Sequence, residues 1–352
     1  MRVNKYDNSL NFKGIMNNKF LLKGLESVAN HPATFVSATS LAMALAVRPI
    51  AIAVTPNVKK ENKQYAAANS IASGLIKFGI VEAVALPIEK AINNIDKNPD
   101  KFLKKETIDV LKEKGKTLAD SNNYGVLTQL IKLSSNLLMS IPKSLLTVAL
   151  IPVITDVLFS KKKDKTKIED NRFSQLHTKS GSNIFSNMNP SFKGVNSNTT
   201  KLVSKIIDNK NIQNFVIKHN FNPGNVARNM SVLTDVVLTT SSTIRTMKSN
   251  KIKEERKRPL IYNNIISTGL TVLGGCYLDK LAQKGSKNFI AKFTEANKND
   301  PKLAKYIQGL NVVRPTLIFA IVYYGILPMF SSFFAEKLDN IQQKHCNKIK
   351  PQ

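Results

Sequence analysis

Six ionisable side chains stand inside otherwise apolar stretches: Arg48, Lys77, Glu82, Asp156, Asp235 and Arg245. In a lipid-embedded helix such a group is a functional candidate by default, because a buried charge needs a partner, a substrate or water to compensate it. Lys77 and Glu82 are five residues apart, not the four that bring helical side chains face to face. Arg48 and Arg245 each follow the apolar part of a helix-like run, a position that suits contact with lipid phosphate. The basic clusters Lys161, Lys162, Lys163 and Arg256, Lys257, Arg258 suit the same anionic headgroups. Catalytic chemistry finds no such footing. There is no P-loop, no Gly-rich dinucleotide turn, no HExxH and no Gly-x-Ser-x-Gly. Four His and two Cys (Cys276 and Cys346) give neither metal-ligand spacing nor a disulfide framework. The expectation is therefore no catalytic residue, no metal, no cofactor and no enzyme activity.

The elements that position these residues are written twice. Asn69-Ser-Ile-Ala-Ser-Gly-Leu75 recurs as Asn264-Ile-Ile-Ser-Thr-Gly-Leu270, with Asn69 and Gly74 matching Asn264 and Gly269. Phe12-Lys-Gly14 recurs as Phe192-Lys-Gly194, Lys97-Asn-Pro-Asp-Lys101 as Lys298-Asn-Asp-Pro-Lys302, and Ile151-Pro-Val153 as Leu327-Pro-Met329. The matches keep their order, which predicts an internal duplication. The small residues Ala66, Ser70 and Gly74 fall four apart, a stripe that lets helix backbones approach closely. Asn69, Gly74, Asn264 and Gly269 are expected to form the seam between the copies, or to surround a substrate or ion there.

Long Ala/Ser/Gly-rich apolar stretches between Lys-rich loops, without alternation of period two, predict an all-α protein. The first copy offers helices at residues 32–54, 65–92 and 133–159, with an extra amphipathic helix within 107–131. The second offers 223–247, 260–282 and 312–338. Pro32 and Pro223 each mark a first helical position, with Asn222 as a cap. This divides the chain into a polar segment at 1–30, a first helical repeat at 31–160, a basic Ser/Asn-rich linker at 161–200, a second repeat at 201–342 and a polar tail at 343–352.

The run from Pro315 to Ala335 has 21 uncharged residues, about the length that crosses a bilayer. The first helix of the second copy carries Asp235 within a short apolar run, so it is a poor span, and its counterpart is read the same way. Two spanning hairpins, four spans in all, place about twice as many Lys and Arg on the side holding both termini, which is then cytoplasmic. Six spans remove that bias and would invert the second copy relative to the first, as in many secondary transporters. In the four-span arrangement the first helix of each copy lies at the interface or beneath the hairpins.

The net charge of +28 sets 44 Lys and 8 Arg against 24 Asp and Glu. Arg is the better reader of phosphates and bases, and aromatic residues do not interleave with the basic runs. That balance argues for a bilayer with anionic lipids as the partner, and against nucleic acid. The reading is an integral membrane protein without catalytic activity, a scaffold or a membrane role that the residues leave unspecified. One alternative is a transporter or channel with its site between the repeats. Another is a soluble or peripheral basic helical protein that binds nucleic acid or anionic lipid.

Overall fold

A computed structural model describes residues 16–56, 60–159, 192–249, 254–328 and 330. Among them the protein is all-helical, without strands. Short amphipathic helices flank long rods. Helix α1 (Lys19–Asn30) opens on the Asn18 side chain, which accepts from the Phe20 and Leu21 amides. Helix α2 (Pro32–Val54) starts on Pro32 as expected, and α3 (Lys60–Lys97) returns beside it. After a short α4 (Lys105–Leu111), α5 runs from Asn122 to Phe159. Helices α6 (Phe192–Ile207) and α7 (Lys210–His219) lead into α8 (Val226–Lys248), α9 (Glu254–Ala296) and α10 (Leu303–Ile326).

The six long helices fall where six are expected. Helix α2 keeps the expected limits, and α3, α5 and α9 run longer. Helix α8 starts at Val226, and α10 starts earlier, with most of its expected end outside the described residues. The residues expected to form a separate amphipathic helix are split between α4 and the first turns of α5. Helix α6 begins at Phe192, inside the segment read as linker, and α1 lies in the segment read only as polar. The rest of that linker and the polar tail lie outside the described residues.

Side-chain contacts fix the helix directions. Along α2 and α3, Ala33 meets Glu89, Ser37 meets Glu82, Ser40 meets Lys77 and Ala53 meets Lys63, so the two are antiparallel. Asn93 with Lys132, and Asp96 with Tyr124, make α3 and α5 antiparallel. Helices α8 and α9 pair the same way through Arg228–Asp279 and Thr239–Thr268. Ser241 sits beside Ser144, and Pro223, just before α8, lines one cleft with Asn122 and Gly125 at the start of α5, so α8 runs parallel to α5. Thr55 reaches the Pro328 carbonyl and Leu25 packs near Tyr306, making α2 and α10 parallel. Helices α2, α5, α8 and α10 therefore all start at one end, here the lower end, and α3 and α9 descend to it.

This corrects two expectations. The second set of helices is not inverted relative to the first. Nor do α2 and α8 lie beneath the hairpins: they run alongside them through the bundle. Among the described residues the helices long and apolar enough to cross a membrane are Pro32–Val54, Ala66–Lys97 and Leu303–Ile326. Thus α2 qualifies where the sequence reading discounts it, and α9, whose uncharged run carries Asn263 and Asn264 among Ser, Thr and Gly, does not.

The bundle changes character along its length. The lower part has an apolar core around Ile92, Ile95, Leu127, Ile207 and Val216. In the upper part large apolar side chains point outward, among them Ile50 (65% exposed), Leu138 (60%) and Leu273 (73%). The interior at that level holds Lys77, Lys143 and Asp235. Apolar outside and charged inside is a layering compatible with a membrane protein.

Gly309 marks a tight crossing, because a Cβ there would collide with the Leu25 carbonyl oxygen. A backbone carbonyl at a helix crossing has little room to withdraw. Gly309→Ala is expected to destabilise the folded protein by about 1–3 kcal/mol. Gly285→Ala, where the added carbon meets nothing within 4 Å, should stabilise by up to about 1 kcal/mol. Denaturant unfolding of both variants in the same detergent or buffer checks the pair.

Candidate functional site

Two prolines shape the walls of the upper interior. A proline within a helix cannot donate to the carbonyl four residues back and its ring crowds that carbonyl. For Pro49 this is Leu45, and for Pro328 it is Tyr324. Each falls in a π-helical turn, Met43–Val47 and Ile321–Ile326, closed by the Arg48 amide on the Met43 carbonyl and the Leu327 amide on the Val322 carbonyl. The wider turn relieves the crowding, and such turns recur at functional sites. The two turns face each other across α2 and α10, with Ala44, Ala320 and Tyr324 packed together. The Arg48 guanidinium lies 4.6 Å from the centre of the Tyr323 ring.

Beside them opens a cavity of about 80 Å³ between α2, α3, α5, α8 and α10. Lys77, Lys143 and Asp235 line it from three helices, with Ser40, Asn136 and Thr316. Lys77 donates to the Ser40 hydroxyl at 2.8 Å. Asp235 is within electrostatic reach of both lysines, yet no ion pair closer than 4.0 Å joins them among the described residues. Both polar atoms of the Asn136 amide and the Thr316 hydroxyl are buried without a hydrogen-bond partner. Unpaired polar atoms in a dry interior are costly, so this cavity is built for polar contents. Its volume holds several waters, at about 10–15 Å³ each by this measure.

Below the cavity, buried charges are fully compensated. The Glu89 carboxylate, without solvent exposure, accepts from the Ala33 amide at 2.7 Å, the Thr34 amide at 3.3 Å and the Thr34 hydroxyl at 2.8 Å. It caps the first turn of α2 from a neighbouring helix, where His31 makes no side-chain cap. Lys132 of α5 completes this node by donating to the Ala29 carbonyl and Asn93. Tyr124 donates to Asp96 at 2.8 Å, and burial together with that carboxylate raises its phenol well above the ordinary value. At the start of α8, Asp279 takes the same place. It is buried, pairs with Arg314 at 2.9 Å and Arg228 at 3.4 Å, and accepts from Gln283. Arg314 also donates to the Gly224 carbonyl.

The residues singled out from sequence are dispersed. The Ala66-Ser70-Gly74 stripe packs on α2, where Ser70 donates to the Ala44 carbonyl and a Gly74 Cβ would lie 2.7 Å from Ala44 Cβ. Asn264 donates to Ser242 of α8, and Gly269 has open space around it. Helices α3 and α9 thus pack on α2 and α8 rather than on each other, so the expected Asn/Gly seam is not formed, and neither Asn lines the cavity. Arg48 stacks on Tyr323 instead of facing lipid, and Arg245 donates to Ser144. The buried Lys257 donates to the Met247 carbonyl at the end of α8. Arg258 is exposed, Arg256 lies in α9, and Lys161, Lys162, Lys163 and Asp156 have no described side chains. Lys77 and Asp235 were visible as charges in apolar stretches. Asn136 and Thr316 left no such signal, since one amide or hydroxyl in an apolar helix usually bonds its own backbone. In comparisons with known proteins, no family model, curated protein or solved structure matches the chain.

The Asp279 node carries a stability prediction. Asp279→Leu leaves Arg314 buried without its counter-charge and should cost about 3–5 kcal/mol. Adding Arg314→Met should recover part of the loss, because the uncompensated charge goes with it. Thermal unfolding of the two variants beside the parent protein checks both statements.

Proposed function

We propose that this chain is an integral membrane protein, not an enzyme, and that it binds a small polar solute or ion inside a bundle built from two parallel copies of one helical unit. The carrying observation is the reversed layering of the upper bundle, with Ile50, Leu138 and Leu273 outward and Lys77, Lys143 and Asp235 around an internal cavity. A scaffold has no need of a polar cavity, so the transporter or channel reading is preferred.

Several pairs of equivalent contacts support the duplication. Asn18 and Asn209 each cap a short helix. Lys63 donates to the Ala53 carbonyl and Lys257 to the Met247 carbonyl, each ten residues back at the top of the bundle. Glu89 with Lys132, and Asp279 with Arg314, stand at the starts of α2 and α8. The copies exchange partners: α8 packs on α5 and α2 packs on α10. That pattern corresponds to a pseudo-two-fold axis along the bundle, the parallel class of repeat, and not an axis in the membrane plane.

A second reading, a peripheral basic helical protein that binds anionic lipid, is favoured by one observation. The chain leaves α5 at the upper end and reaches Ile207 at the lower end. Between those two points the sequence carries Lys161, Lys162 and Lys163, which lie outside the described residues. Alkaline carbonate extraction of membranes from expressing cells separates the readings. Retention in the pellet is expected, and release into the supernatant would replace the integral reading with the peripheral one.

A further inference from the structure

We infer that the cavity ligand is a small monovalent anion, of the size of chloride or acetate, held by Lys143, Lys77, Asn136 and Thr316. The inference rests on the cavity being the functional site. It adds the chemical class of what enters.

The groups facing the cavity decide its sign. When protonated, Lys77 and Lys143 supply two positive charges, and Asp235, when ionised, one negative. Arg48, behind Tyr323, adds a third cation within electrostatic reach of Lys143. The other nearby carboxylate, Glu82, is occupied by the Thr34 and Ser37 hydroxyls of α2. Three cations against two carboxylates leave room for one negative charge. A cation would face two lysines, and a dianion would overcompensate.

The donors point the same way. Asn136 and Thr316 are each 6% exposed, and their polar atoms lack partners. Both residues line the cavity. Lys143 faces the same space with only through-space charge interactions among the described residues. An ammonium, an amide N–H and a hydroxyl, each free to donate, form the coordination a weakly hydrated anion takes when it leaves water. Asp235, with no hydrogen bond of its own among the described residues, makes this grip weaker than the donors alone would give. Such opposition suits a ligand that must leave again, since conduction needs binding that is favourable but not tight. The volume of about 80 Å³ admits an anion of one to four heavy atoms with a few waters.

The test uses the full chain in detergent, titrated with sodium chloride and separately with sodium acetate. Sodium gluconate holds the ionic strength constant, and binding is followed by calorimetry and thermal stability. Saturable binding of at least one of the two anions is expected, with no saturable binding of sulfate. Lys143→Gln and Asn136→Leu should each weaken binding about tenfold or more. Asp235→Asn should tighten it about tenfold, a gain that mere disruption of packing would not produce. Size-exclusion chromatography and far-UV circular dichroism confirm that each variant is folded. Absence of saturable binding by the parent protein, or unchanged affinity in folded Lys143→Gln and Asp235→Asn, would overturn the inference. A carbonate-resistant protein that binds neither anion would lose this inference and keep the membrane reading, whereas an extractable protein that binds chloride would do the reverse.

Discussion

A carboxylate cut off from water has to be supplied with every partner by the fold, and two such groups hold this bundle in register. Glu89 gathers the first amides of α2 and brings Lys132 close. Asp279 gathers Arg228 and Arg314 at the start of α8. Each node ties one descending helix to one ascending helix, so the height of everything above follows from it. Lys77 lies twelve residues up α3 from Glu89, about 18 Å along a helix. Slippage by one turn would leave a charge unpaired below and move another out of the cavity above. Such nodes add little net stability over apolar packing, yet breaking one is severe, which suits a role in specifying alignment.

Much of the helix content was legible in the chain, and the reasons for the misses are physical. Pro32 and the polar Thr55-Pro56 bracket α2, so its limits are read to the residue. The ends of α3 and α9 are charged and resemble loops, but they pack in the lower part, where the surroundings tolerate charge. The small-residue stripe at Ala66, Ser70 and Gly74 does mark a close approach, although its partner is α2. Sequence matching names equivalent residues and not the surfaces they face. Helix α1 escaped notice because its Asn18 cap lies in an Asn-rich segment where one cap resembles many.

Of the candidate site, Lys77 and Asp235 were readable, whereas Lys143 was not singled out and the assembly of the three was not legible. A charge within an apolar run stands out at once. That Lys77, Lys143 and Asp235 share one cavity depends on α8 running parallel to α5, which no local pattern encodes. The prolines tell a similar story. Pro49 and Pro328 are plain in the sequence, but the facing of their π-helical turns comes only from the packing of α2 on α10. A helix deformed in this way exposes carbonyls and rings to its neighbour, and the Arg48–Tyr323 stack occupies that opening.

The exchange of partners also governs how the chain can be made. Helix α1 leaves the ribosome before the other described helices, and its apolar face docks with Phe289, Phe293, Tyr306 and Leu310. Those residues are synthesised more than 250 positions later. Helix α5 likewise waits for α8. The early helices must therefore remain unsatisfied, or shielded by other molecules, until those later residues are made. Cooperative closure comes only when α10 arrives, so a ribosome stalled before residue 300 leaves the apolar face of Leu21, Leu22 and Leu25 without its natural cover. For this architecture, the vulnerable period is set by elongation time and not by any single helix's propensity.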